Sequence, residues 1–229
     1  MSVSIIYHGH SCFSVVADGN HILIDPFLTG NPLAKIGPDE VQADFILLSH
    51  GHGDHVGDAV AIAKRTGALV ICNYEILGWL DRQGVKNVHP LHIGGGNRFP
   101  FGRCKMTIAH HGSGLPDGSY GGNPAGFLLK LNAGKTIYFS GDTALTYDMK
   151  WLADDHVDVA ILCIGDNFTM GPDDAIKAVK LIEPKTVIPC HFGTWPYIEV
   201  DAEDFQARCH AETTARCVLM HPEETLELV

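Results

Sequence analysis

Six consecutive residues constrain this chain more than any others: His50-Gly51-His52-Gly53-Asp54-His55. They follow the continuous apolar run 45–48, which suits a strand buried on both faces. They lead into residues 56–65, where Val56, Val60 and Ala63 share one helical stripe and Gly67 supplies a stop. The six therefore occupy a strand-to-helix loop. Alternating glycines let that loop turn tightly without crowding its four polar side chains. Two imidazoles at i and i+2 can face one cation, and an adjacent Asp–His pair can serve a second nearby. A single histidine in a polar turn is most simply a solvated side chain, but four potential ligands in six residues point to metal.

The rest of the chain supplies the frame. Residues 2–7, 12–17 and 21–24 read as short β-branched strands, with Asp18-Gly19 as a hairpin turn. A strand over 69–72 and a helix over 74–83 follow, and Gly94-Gly95-Gly96-Asn97 reads as a turn. Strands are then expected over 104–109, 126–131, 136–139, 157–164 and 186–189, and helices over 145–152, 172–182 and 202–210. Pro172 stands at a first helical turn, where its missing N–H costs nothing. Residues 216–220 and 225–228 finish the second sheet in this reading. Meanders that give way to alternating strands and helices in both halves suit an α/β fold. The expected architecture is a four-layer αββα sandwich of two mixed β-sheets with helices on both outer faces. The whole chain, 1–229, is read as one domain with pseudo-symmetric halves of about 1–110 and 111–229.

Composition narrows the function. A net charge of −11 argues against wrapping a polyanion, and hydrophobic residues at 45% suit an ordinary globular chain. No apolar stretch is long enough to span a membrane, and the N-terminus shows no signal-peptide pattern. Seven cysteines, none in a C-x-x-C pair, read as reduced and mostly buried thiols, which implies the cytoplasm.

The motif resembles the H-x-H-x-D-H signature of the metallo-β-lactamase superfamily. Later segments continue the match in order: Ala109-His110-His111-Gly112-Ser113, Phe139-Ser140-Gly141-Asp142-Thr143 and Ile188-Pro189-Cys190-His191-Phe192. The resemblance implies that His50, His52 and His111 hold one divalent ion and that Asp54, His55 and His191 hold another. Asp142 would bridge the two. Strand alternation places His110 with apolar Cys104, Met106 and Ile108, so periodicity leaves His110 open as the third histidine; His111 is taken because a glycine turn follows it. Further likeness is carried by Tyr7-His8-Gly9-His10-Ser11, Asp25-Pro26-Phe27-Leu28, Gly30-Asn31-Pro32 and the 165–172 loop. These segments are similar to the small metal-dependent hydrolases related to ascorbate-6-phosphate lactonase.

Several residues carry two readings. Asp25 either orients a ligand histidine through its second ring nitrogen or only makes a turn before Pro26. His8 and His10, placed on one strand face, either line a substrate pocket or pin the first strand, and His10, or else His8, is a candidate proton donor to the leaving group. Asn31, Asn167, Thr169 and Trp195 are pocket candidates, with helix capping as the plain alternative for the 167–169 loop and sheet packing for Trp195. Gly94-Gly95-Gly96 lacks the Lys-Ser or Lys-Thr of a phosphate loop.

Two cations joined by a carboxylate bring the pKa of a shared water toward neutrality. Roughly +4 from the ions, offset by Asp54, Asp142 and a hydroxide, leaves about +1. That balance favours a small anionic ester, lactone or phosphodiester. Zinc is the expected metal, with manganese, nickel, iron and cobalt also suited to His and carboxylate donors. No nucleic-acid or membrane partner is expected, and homo-oligomers are compatible with the sequence. The competing readings are a nuclease or phosphodiesterase acting on nucleic acid, a flavodiiron-type redox protein and a non-catalytic metal-binding relative. The acidic charge and modest length disfavour the nuclease. His52 stands where the flavodiiron branch has a carboxylate, and no ligand position is lost.

Overall fold

The computed structural model describes residues 2–228. Its first six strands are β1 (Val3–Gly9), β2 (Cys12–Ala17), β3 (Asn20–Ile24), β4 (Phe45–Leu47), β5 (Leu69–Asn73) and β6 (Val88–Leu91). Successive side chains of a strand point to opposite faces, and this alternation sorts the core. Phe13, Val15, Ile22, Ile24, Phe45, Leu47 and Ile71 enter one apolar cluster; Cys12, Leu23, Ile46, Val70 and Cys72 enter another. Strands apolar on both faces need cover on both. Helices α1 (Gly53–Val56), α2 (Ala59–Thr66) and α3 (Tyr74–Arg82) cover the outer side with Val56, Ile62, Ile76 and Leu80.

The inner side meets a second sheet made of β7 (Gly96–Phe99), β8 (Gly102–Ile108), β9 (Ala125–Leu131), β10 (Thr136–Phe139), β11 (Val159–Cys163), β12 (Thr186–Cys190) and β13 (Arg216–Cys217). Ring centroids of Phe13 and Phe139 lie 6.3 Å apart and those of Phe45 and Phe101 4.8 Å apart, so the two sheets face each other. On the far side, α4 (Pro172–Ile182) and α5 (Ala202–Glu212) bury Ile176, Val179 and Phe205 in the same core. The last strand, β14 (Thr225–Leu228), pairs antiparallel with β1. Among the described residues the result is two mixed seven-stranded sheets with five α-helices, the expected sandwich. The parallel runs β3–β6 and β10–β13 bring several strand ends to one edge.

Five details depart from the sequence reading. The change of sheet falls between Leu91 and Gly96 and not near residue 110, and β14 returns to the first sheet instead of finishing the second. The helix expected over 56–65 breaks at Gly57 (φ 34°), a position only glycine fills, because a Cβ there would collide with the Pro26 carbonyl. The helix expected over 145–152 is a 3₁₀ segment, Tyr147–Asp155, and the three-residue spacing of its buried Met149 and Leu152 matches that tighter period. Edge strands β6 and β7 were hidden by Pro90 and by the glycine run, features that edge positions tolerate.

Candidate metal centre

The 50–55 loop leaves β4 and turns directly into α1. Gly51 has a spatial reason: a Cβ there would lie 3.1 Å from the Ser113 carbonyl. Its N–H donates to Ser113 Oγ at 3.0 Å, and Ser113 Oγ donates to the Gly121 carbonyl. This docking seats the 111–113 turn against the motif. Gly53 meets nothing within 4 Å, so space does not demand it. The outcome is a first group, His50, His52 and His111, with His50 Nε2 3.0 Å from His52 Nδ1. The His111 ring centroid lies 5.1 Å from that of His50 and 5.0 Å from that of His52. His110 is exposed; its backbone is tied to Thr143 Oγ1 and Ala144, and the strand alternation that linked it to Met106 ends at Ile108.

A second group collects Asp54 and His55 from α1, His191 from the end of β12, and His10. Asp142, in the turn after β10, lies between the two groups. Its Oδ2 is 2.9 Å from His191 Nε2, 3.3 Å from His55 Nε2 and 3.5 Å from His111 Nε2. Ligand atoms around a tetrahedral zinc at 2.0–2.1 Å stand about 3.3 Å apart, so these separations match the edges of coordination shells.

Asp25 organises both groups from beneath. It is wholly buried, with φ 43°, at the end of β3. Its carboxylate accepts from the Ser49 N–H at 2.8 Å, the Ser49 hydroxyl at 2.5 Å and His55 Nδ1 at 2.7 Å. Having donated its proton, Ser49 Oγ accepts from His50 Nδ1 at 3.0 Å. One carboxylate thereby fixes the ring orientations of His50 and His55 and turns both Nε2 atoms toward the centre. Burial raises the Asp25 pKa against the opposing pull of His55. Burial opposes charge on His55, yet Asp142 and Asp25 together hold its pKa well above the usual histidine value. For Asp142, burial is outweighed by His55 and His191, and its carboxyl sits well below the ordinary range. Burial keeps His50, His52 and His111 neutral by lowering their pKa values.

Other expected site residues fall in different places. A register shift between Tyr7 and Gly9, with His10 at φ 57°, ends the alternation that would have aimed His8 and His10 alike. His8 instead bonds Glu223 Oε1 at 2.9 Å and Ser14 Oγ at 2.8 Å, pinning β1 to its neighbours away from the centre. His10 does reach the centre: it is fully buried, with Nδ1 2.8 Å from Thr194 Oγ1 and Nε2 3.2 Å from Asp54 Oδ2, and burial pushes its pKa down to about 4. Trp195 covers His10 at 4.8 Å between ring centroids and stands 6.0 Å from Phe27. Asn31 serves its own loop, donating to the Phe27 carbonyl and accepting from the Leu33 N–H. Asn167 is exposed, and the Thr169 hydroxyl donates to the Met170 carbonyl. Asp166, Asp173, Asp174, Asp201 and Asp204 line the cleft at the start of α4 beside Lys177 and Arg208, which disfavours an anion there.

Three contributors carry little signal in the sequence. Ser49 is a lone small polar residue after an apolar run, and Thr194 lies in an irregular loop. Gly165 is needed because a Cβ would fall 2.1 Å from the His191 carbonyl; its one clue is a glycine directly after a buried strand.

The donor set fits divalent cations. His55 Nε2 and Asp142 Oδ1 are buried without a hydrogen-bond partner. Orphaned atoms of this kind cost about 1–3 kcal/mol each unless something binds them. A sandwich of two mixed sheets with His- and Asp-rich loops gathered at one edge defines a metallo-hydrolase of the β-lactamase type. The family model for the β-lactamase superfamily domain matches residues 20–192. A UPF0173 metal-dependent hydrolase of Pelotomaculum thermopropionicum is 48% identical over 99% of this chain and 100% of its own length. Another, of Carboxydothermus hydrogenoformans, is 53% identical over 95% of this chain and 96% of its own. The solved structure of Igni18, a metallo hydrolase of Ignicoccus hospitalis, superposes with a TM-score of 0.90 at 33% identity, covering 100% of this chain and 99% of that one. The chain belongs to the β-lactamase superfamily and, within it, to the UPF0173 metal-dependent hydrolases.

Proposed function

We propose that this chain is a dinuclear metal hydrolase acting on a small, anionic ester, lactone or phosphodiester, with the residues between His50 and His191 working as one catalytic unit. The observation that carries the reading is Asp142: one carboxylate oxygen stands within 3.5 Å of imidazole nitrogens from both groups. His50, His52 and His111 would hold one ion, and Asp54, His55 and His191 the other, with Asp142 shared. When bound, two such cations lower the pKa of a water toward neutrality and polarise the oxygen of the scissile group. Asp25 fixes the direction of His50 and His55, so the donors are ordered before any ion arrives. Asp54, with its side chain 27% exposed against 3% for Asp142, is the carboxylate at the opening. It is placed to hold the proton of an attacking water. Trp195 and Phe27, both half-buried, wall the side next to His10.

A panel of lactones, phosphodiesters and thioesters, run with zinc and with manganese, tests this reading. Metal-dependent turnover of at least one class is expected, and Asp142→Ala should abolish it while the circular dichroism spectrum persists. Retained activity in that variant would overturn the shared role of Asp142. Multiple-turnover cleavage of structured RNA alone would replace this reading by the nuclease.

A further inference from the structure

His10 lies outside the ligand set that the superfamily motif implies, yet its ring is inside the second group. Its four members each offer one donor atom, and all four atoms lie within 4.8 Å of one another. The position is built rather than incidental. Gly9 (φ 107°) and His10 (φ 57°) bend the chain between β1 and β2, and the His10 carbonyl accepts from the His191 N–H at 2.9 Å. The two rings lie 4.2 Å apart.

Proton bookkeeping decides what His10 Nε2 presents. Nδ1 is 2.8 Å from Thr194 Oγ1, and the Thr194 hydroxyl donates to the Phe192 carbonyl at 3.5 Å. Thr194 Oγ1 therefore accepts the Nδ1 proton, and Nε2 is left with a lone pair. That lone pair faces Asp54 Oδ2 at 3.2 Å. The same oxygen stands 3.6 Å from His55 Nε2, whose Nδ1 proton is committed to Asp25, and 3.8 Å from His191 Nε2. Four nitrogen and oxygen atoms gathered within 4.8 Å of one another suit the coordination shell of a single cation. From this convergence we infer that His10 Nε2 is an additional ligand of the second cation, beyond Asp54, His55, His191 and the shared Asp142. The inference rests on the two-cation reading above. It makes the two ions unequal: three histidines and a carboxylate suit a tetrahedral ion, whereas five protein donors require the higher coordination that manganese, iron, cobalt and nickel accept readily.

The test uses the full chain with ¹⁵N-labelled histidine rings, loaded with ¹¹³Cd, since a nitrogen bonded to the metal shows a one-bond splitting. Six split ring nitrogens are expected, from His10, His50, His52, His55, His111 and His191. His10→Gln should remove one of them and weaken binding of the second ion at least tenfold by calorimetry. Should that variant fail to fold, His8→Asn and His110→Asn serve in its place, and the count of six must survive both. Five split nitrogens with His10 unsplit overturn this inference and leave the dinuclear reading intact. The absence of any splitting overturns both.

Discussion

At the scale of single residues, the centre is governed by one buried carboxylate acting on two imidazoles. Asp25 touches His55 directly and His50 through Ser49, so removing its charge loosens a ligand of each proposed ion. Asp25→Asn should lower metal affinity by about 10–100-fold, the usual range for such supporting groups, read by titration with a chromogenic competitor; unchanged affinity would mean that the network is ornamental. The metal-free protein should also be acid-sensitive in a defined window. His10, held at about 4, and His50, held well below its usual value, stay neutral when folded, whereas the unfolded chain takes up protons near pH 6.5. The unfolded state then binds more protons, so stability falls as pH drops from about 6.5 to 4. His55 does not offset this fall: its raised pKa makes it protonated in both states below 6.5, and its contribution is lost only as pH rises through its folded value. Melting temperature measured with chelator across that window should decline steadily. A flat profile would contradict the burial of neutral imidazoles.

Among elements, the telling feature is the interruption between α1 and α2. Gly57 lets the 25–28 turn lie against the helix start, and Asp58 secures that turn by accepting from the Leu28 and Thr29 N–H groups. Because Asp25, Asp54 and His55 all depend on this contact, Gly57→Ala should destabilise the fold by more than about 2 kcal/mol and lower metal affinity as well, as followed by denaturant unfolding. Sequence patterning could not show the break, since Val56, Val60 and Ala63 keep helical spacing across it. The same limit explains His8 and His10: strict alternation placed them together, and a register shift at Gly9 parted them. Where local pattern and long-range packing agree, as in α4 with Pro172 at its start, the expected and observed bounds coincide.

On the scale of the whole molecule, the sandwich was legible because apolar runs and turn residues are local signals, and so was the cluster carried by residues 50–55. The convergence of Asp142, His191 and His111 on that cluster depends on which strand ends share an edge, and family resemblance rather than periodicity supplied it. Ser49, Thr194 and Gly165 escaped because their roles exist only in three dimensions. The two apolar layers enclose all seven cysteines as free thiols, with burial raising Cys104 to about 12 and Cys163 to about 11. Peptides bearing these two residues should resist alkylation at pH 8 in the native protein and label fully after denaturation; rapid native labelling would show the layers to be open. The central claim, a pair of cations clamped by side chains from both halves of the chain, is tested most directly by elemental analysis of protein stripped of metal, reconstituted with zinc or manganese and desalted. Two equivalents per chain are predicted, and fewer than one after reconstitution with either metal would contradict the account.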